Sequence, residues 1–175
     1  MAIASEFGLN NPRPCGGCTL CCKVFELPIF EKAAGTWCEH CAPGKGCGIH
    51  SARPTPCREF QCMWTVAVAL DEKWRPDNAG FVIAANDMHV YVDVDPDKQD
   101  AWRRQPYYSQ LKAWSNRNRP RFLTVVVRTP TESIVVFPET EITLGPPREG
   151  VEIRSGYQMQ NGKLRPYAHF DEQPT

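Results

Sequence analysis

The sequence predicts an α+β protein: an N-terminal cysteine-rich module packed on a small antiparallel sheet with helices. Three observations carry this. All 9 cysteines lie between Cys15 and Cys62. Two β-rich hairpin patterns follow, at 80–94 and 122–137, and a helical stretch separates them at 98–116. With 175 residues, the chain makes one domain, or a domain with a small module. Its 42% hydrophobic and 23% charged residues are ordinary for a globular protein and exclude wholesale disorder. The 20 Lys plus Arg cancel the 20 Asp plus Glu, which argues against a surface that binds nucleic acid everywhere, though not against a local patch. No run approaches the roughly 18 apolar residues of a membrane span, and MAIASEFGLNNPRP at the start lacks the basic and apolar segments of a secretory leader. A soluble, cytoplasmic protein with no membrane partner is expected.

The first element is a thiol loop. Cys15, Cys18 and Cys21 recur at every third position in Pro14-Cys15-Gly16-Gly17-Cys18-Thr19-Leu20-Cys21-Cys22. The glycines let the backbone curl until thiols converge and amide N–H groups turn toward sulfur. Without a secretory leader, an odd number of cysteines points to thiols held by a metal rather than to disulfides. The same spacing occurs in ferredoxin-type loops that bind a [4Fe-4S] cluster, where a distant Cys followed by Pro completes the set. Here Cys22 comes next instead. Neighbouring side chains of an extended segment point opposite ways, so Cys21 and Cys22 imply two adjoining sites, or one ligand and one outlying thiol.

The second group is Trp37-Cys38-Glu39-His40-Cys41, with Cys47 beyond the turn Pro43-Gly44-Lys45-Gly46. Such knuckles are common in structural zinc sites. The third group is Cys57-Arg58-Glu59-Phe60-Gln61-Cys62. A helix starting just after Pro56 would put Cys62 about 500° round from Cys57, off its face. Nine thiols divide as four, four and one, which fits two four-thiolate centres or one larger cluster. His40 and His50 are expected beside the ligands, whereas His89 and His169 read as ordinary strand or surface histidines.

Taken together, the run from Pro14 to Trp64, with CGGCTLCC, WCEHC and GCGIHSARPTPCREFQCMW, resembles the YkgJ-type CxxCxxCC family, a zinc- or iron-chelating domain. The likeness includes the order of all nine cysteines, Arg53-Pro54 and the Cys57-Arg58-x-Phe60-x-Cys62 signature. Many members carry an aromatic where this chain has His50. The resemblance implies that Cys15, Cys18, Cys21, Cys22, Cys38, Cys41, Cys47, Cys57 and Cys62 bind zinc or iron, the iron alternatively as a [4Fe-4S] cluster. Most members have no defined biochemical role.

Rival chemistries fail on context. Trp37-Cys38-Glu39-His40-Cys41 has the spacing of a disulfide-oxidoreductase site, which needs a strand before it and a helix after it. This chain offers Lys32-Ala33-Ala34-Gly35-Thr36 and Ala42-Pro43-Gly44 instead. Asp93, Asp95 and Asp97 alternate like the start of a calcium loop, yet Lys98 replaces the required glycine and Arg104 the required glutamate. They are expected to end a strand and cap the helix after Pro96. No Ser-His-Asp set, phosphate loop or carboxylate pair names a substrate. Whether the chain is an enzyme is therefore open, an iron–sulfur-dependent enzyme or electron-transfer component being the first alternative.

Further along, 60–70 (FQCMWTVAVAL) reads as a core helix. Segments 80–85 (GFVIAA) and 88–94 (MHVYVDV) read as strands joined by Asn86-Asp87, and 122–128 (FLTVVVR) and 133–137 (SIVVF) as a second pair, with weaker strands at 141–144 and 151–153. The stretch 98–116, restarted at Pro106, begins a basic segment: Arg103, Arg104, Lys112, Arg117, Arg119 and Arg121 among Trp102, Tyr107, Tyr108 and Trp114. It is read as an amphipathic helix with its rings docked on the sheet. The second alternative makes Arg103, Arg104, Lys112 and Arg117 an anion-binding patch of a metal-stabilised adaptor. The expected partner is a metal ion; nucleic acid is not expected, and a protein partner is left open. Residues 163–175 read as a polar, mobile tail. The boundaries are then 1–66 for the cysteine module, 67–162 for the α+β region and 163–175 for the tail.

Overall fold

The computed structural model describes residues 7–8, 13–116, 123–148 and 150–171. These form a mixed α/β molecule with short helices and several small sheets. Strands β1 (Cys41–Ala42) and β2 (Gly46–Cys47) make a minimal hairpin. Strands β3 (Phe81–Ala85), β4 (His89–Val94), β5 (Thr124–Arg128), β6 (Ser133–Val136) and β7 (Glu141–Leu144) make a five-stranded sheet in chain order. Strands β8 (Ile153–Gln160) and β9 (Lys163–Phe170) pair as a separate ribbon. The helices are α1 (Cys21–Val24), α2 (Thr55–Glu59), α3 (Met63–Val66), α4 (Pro76–Ala79) and α5 (Tyr107–Trp114).

Alternation of β-branched residues gives the main sheet two apolar faces. On one, Phe81, Ile83, Val92, Val125, Val127 and Ile134 pack with Trp64, Trp74, Trp102, Leu111 and Trp114. The other face is shared. Val82 of β3 lies under the thiol segments with Leu20 and Val24. Val126 and Val135, with Phe137, lie under Ile153 and the inner half of the ribbon. Between the two, Arg128 donates to both carboxylate oxygens of Asp93 at 2.6 and 2.8 Å and covers the Tyr91 ring.

Three expectations change. The sheet is mixed rather than antiparallel, because β4 and β5 run parallel. A parallel neighbour requires a crossover; here it is the connection containing the turns at Pro96–Lys98 and Ala101–Arg103 and helix α5. The helix expected over 60–70 is a single turn, α3. Beyond it the chain turns at 68–69, and Val68 and Ala69 donate to the carbonyls of Gly8 and Phe7. Arg13 also donates to the carbonyls of Trp64, Ala67 and Leu70, so the helical ladder loses its acceptors to tertiary contacts. Finally, the expected tail at 163–170 is β9. Asn161 and Gly162, both at positive φ (52° and 71°), close its hairpin with β8, as a two-residue turn of this hand demands. Residues 172–175 lie outside the described residues.

Strands β3 to β7 fall where the sequence places them, within a residue or two, whereas the weak strand expected at 151–153 is only the start of β8, which runs on to Gln160. Asp95 caps the turn after it by accepting the Asp97 N–H at 3.1 Å. No helix among the described residues is long and apolar enough to cross a membrane.

Candidate metal centre

The cysteine segments run from the thiol loop to α3, and all nine thiols are free. Gly16, at φ +59°, begins the curl of the loop, and the Cys18 N–H closes it onto the Cys15 carbonyl at 3.1 Å. Gly17 must be glycine for a different reason: a side chain there would begin 2.6 Å from the Gly44 carbonyl oxygen. Next to this contact the Gly44 N–H donates to Thr19 Oγ1 at 3.1 Å. The thiol loop thus rests directly on the β1–β2 turn.

Cys15, Cys18, Cys21 and Cys62 line one cavity of about 20 Å³, walled otherwise by Trp64, Thr65, Pro76 and Val82. One water needs about 10–15 Å³ by the same measure, so the space suits a single ion-sized occupant. Backbone N–H groups of Leu20 and Asp77 favour the Cys18 thiolate, and those of Trp64 and Thr65 favour the Cys62 thiolate. Burial outweighs them, pushing the Cys18 thiol above its ordinary value and Cys62 up to about 11. Arg75 is a nearby cation acting on Cys18; its guanidinium lies within 4 Å of where side chains at Gly16 and Gly17 would begin.

A second neighbourhood gathers Cys22, Cys38, Cys41, Cys47 and Cys57. Cys41 and Cys47 are cross-strand partners in the β1–β2 ladder. The Cys38 N–H donates to the Cys22 carbonyl at 3.1 Å. Cys22 and Cys41 are in side-chain contact, and burial together with the Cys22 and Cys38 thiols pushes Cys41 up to about 11. Burial and the thiols of Cys22, Cys38 and Cys47 raise Cys57 on α2. Lys32 supplies positive charge here: its buried ammonium donates to the carbonyls of Lys23, Phe25 and Ala33 and acts on Cys38 and Cys22.

The adjacent pair joins the two neighbourhoods. Cys21 and Cys22 open helix α1 rather than lying in an extended segment, so their side chains diverge by about 100° and not 180°. Their thiols touch, and this contact, ahead of burial, drives the Cys22 pKa far upward. Cys21 still faces the cavity, while Cys22 meets Cys41. Among the described residues, no three Cys, His, Asp or Glu side chains are already drawn together at the spacing of a bound ion.

The histidines stand apart from these contacts. His40 packs edge-on against Phe30, 4.8 Å between ring centres, and lies 3.6 Å from Glu39. His50 is exposed at the start of a helical turn. No helix follows Cys38, so the helix N-terminus that activates an oxidoreductase thiol is missing there. In the basic segment, Arg103 is ion-paired to Glu141 at 2.8 and 2.9 Å. Arg104 donates to the carbonyls of Ala79 and Ala101, and Lys112 lies 4.8 Å over the Tyr108 ring. Arg117, Arg119 and Arg121 lie outside the described residues.

One missed feature is Lys23. Its ammonium donates to Asp95 at 2.6 Å and also to Asp97, tying α1 to the end of β4. A lysine beside two cysteines gave no sign of its distant partners. Comparisons with protein families, curated proteins and solved structures find no match.

Proposed function

We propose that the chain is a metal-binding protein whose thiols hold zinc or iron in two adjoining centres. Cys15, Cys18, Cys21 and Cys62 would form one. Four of Cys22, Cys38, Cys41, Cys47 and Cys57 would form the other. The observation that carries this reading is that four thiols, three from the thiol loop and one from the start of α3, line one small cavity, where backbone N–H groups favour the thiolate form of Cys18 and Cys62. Soft thiolates suit both metals. Bound metal would neutralise thiolate charge and cross-link the segments, supplying folding free energy that this stretch cannot draw from apolar burial. Arg75 beside the first set and Lys32 beside the second would offset the negative charge that four thiolates leave on a divalent ion.

The YkgJ-type resemblance leads to the same function, and free thiols in this number suit a reducing, cytoplasmic setting. The size of the cavity favours a single ion in the first centre. The three-residue cysteine spacing supports the second reading, an iron–sulfur cluster serving electron transfer or catalysis. Protein purified without oxygen and without a metal-binding tag separates them by elemental analysis, acid-labile sulfide and a visible spectrum. Zinc or iron without sulfide is expected. Iron with stoichiometric sulfide and a broad brown absorbance would replace the single-ion reading with the cluster, and metal-free folded protein would overturn both.

A further inference from the structure

The β8–β9 ribbon carries a second surface, independent of the thiols. Its residues, 153–170 (IRSGYQMQNGKLRPYAHF), include Arg154, Lys163 and Arg165 and no acid, in a chain whose charges cancel overall. The register sorts the side chains, since directly paired residues share a face. Ile153 with Phe170, Ser155 with Ala168, Tyr157 with Pro166 and Met159 with Leu164 form one face. Its inner half packs on Val126, Val135 and Phe137. Arg154 with His169, Gly156 with Tyr167, Gln158 with Arg165 and Gln160 with Lys163 form the other, turned away from the sheet.

That outer face combines charge, amides and rings. The bases, the glutamines and His169 are exposed. The Tyr167 ring lies over Gly156, where a side chain would start 3.1 Å from its hydroxyl. Tyr167 also lies nearly parallel to the His169 ring, 5.9 Å between centres and 21° between planes. Arg154 is paired with Asp171 at 2.6 Å, whereas no ion pair engages Lys163 or Arg165 among the described residues.

We infer that this face binds single-stranded nucleic acid. Lys163 and Arg165 meet phosphates, Tyr167 and His169 offer a platform for unstacked bases, and Gln158 and Gln160 hydrogen-bond base edges. Strands of this length extend about 26 Å, enough for several nucleotides. A duplex would satisfy the charges but leave the rings without bases to stack. The expectation against nucleic acid rested on net charge, which a local face escapes.

The test is fluorescence anisotropy with the metal-loaded full chain and labelled 12-nucleotide oligo(dT) and oligo(U). Binding at low salt is expected, weakening with salt at a log–log slope of about −1.4, as two cations on a single strand imply. The double variant Lys163→Glu/Arg165→Glu should bind about tenfold or more weakly, and Tyr167→Leu, which keeps an apolar cover over Gly156, about fivefold or more. Circular dichroism should show both folded; the first changes only exposed side chains. Absence of binding at low salt, undiminished binding by the double variant, or equal binding of a blunt duplex of the same length would overturn the inference.

Discussion

At the scale of single residues, two ion pairs define how the parts are joined. Lys23 and Asp95 are both almost fully buried, and their 2.6 Å contact links α1 to the end of β4. Burial alone would depress the Lys23 ammonium, but Asp95 and Asp97 more than compensate and raise it. Lys23→Met removes one partner of a buried pair and leaves Asp95 uncompensated, so it should cost about 3 kcal/mol in denaturant unfolding of the metal-loaded protein. A loss below about 1 kcal/mol would show the pair to be incidental. Glu141 behaves differently. Partial burial acts to raise its pKa, but Arg103 and the Tyr108 hydroxyl, donating at 2.6 Å, hold it below the ordinary 4.5. A folded pKa below the unfolded one contributes stability above pH 4.5 that is lost as pH falls through the folded value. Because Arg103 is exposed, the contribution is about 1 kcal/mol at most. Wild type should therefore melt slightly above Glu141→Gln at pH 7, and thermal melts at successively lower pH should converge below 4.5.

At the scale of elements, local patterns were readable and long-range competition was not. The alternation in MHVYVDV and FLTVVVR marked β4 and β5, but nothing near either strand said that they run parallel. That follows from how Trp102, Leu111 and Trp114 draw the crossover onto the sheet. The stretch from Cys62 to Leu70 has the apolar content of a helix, yet Arg13, Phe7 and Gly8 take its backbone partners. The thiol positions were legible because three-residue spacing is local. Their division into two neighbourhoods was not, since it depends on Cys62 returning to the cavity and on α1 turning Cys21 and Cys22 apart. The contact of the thiol loop with the β1–β2 turn gives a test at this scale. Gly17→Ala forces a methyl group to within 2.6 Å of a backbone oxygen and should lower stability by about 2 kcal/mol. Gly145→Ala, with open space around it, serves as the control, and equal melting temperatures for the two variants would contradict the tight contact.

For the whole molecule, the sheet has a division of labour. One face holds a continuous apolar core beneath α3 and α5, while the other supports the thiol segments over β3 and the basic ribbon over β5 and β6. The Asp93–Arg128 pair lies between them. The thiol segments and the ribbon, resting on different strands of that face, can therefore be altered separately. The central claim is the division of the thiols into two centres, and metal content per chain tests it most directly. Wild type, Cys18→Ser and the double variant Cys22→Ser/Cys41→Ser, which leaves only three thiols in the second set, should give two metal equivalents, one and one when purified without oxygen. A single equivalent in the wild type, or complete loss of metal from both variants, would contradict two separate centres and point to one shared site.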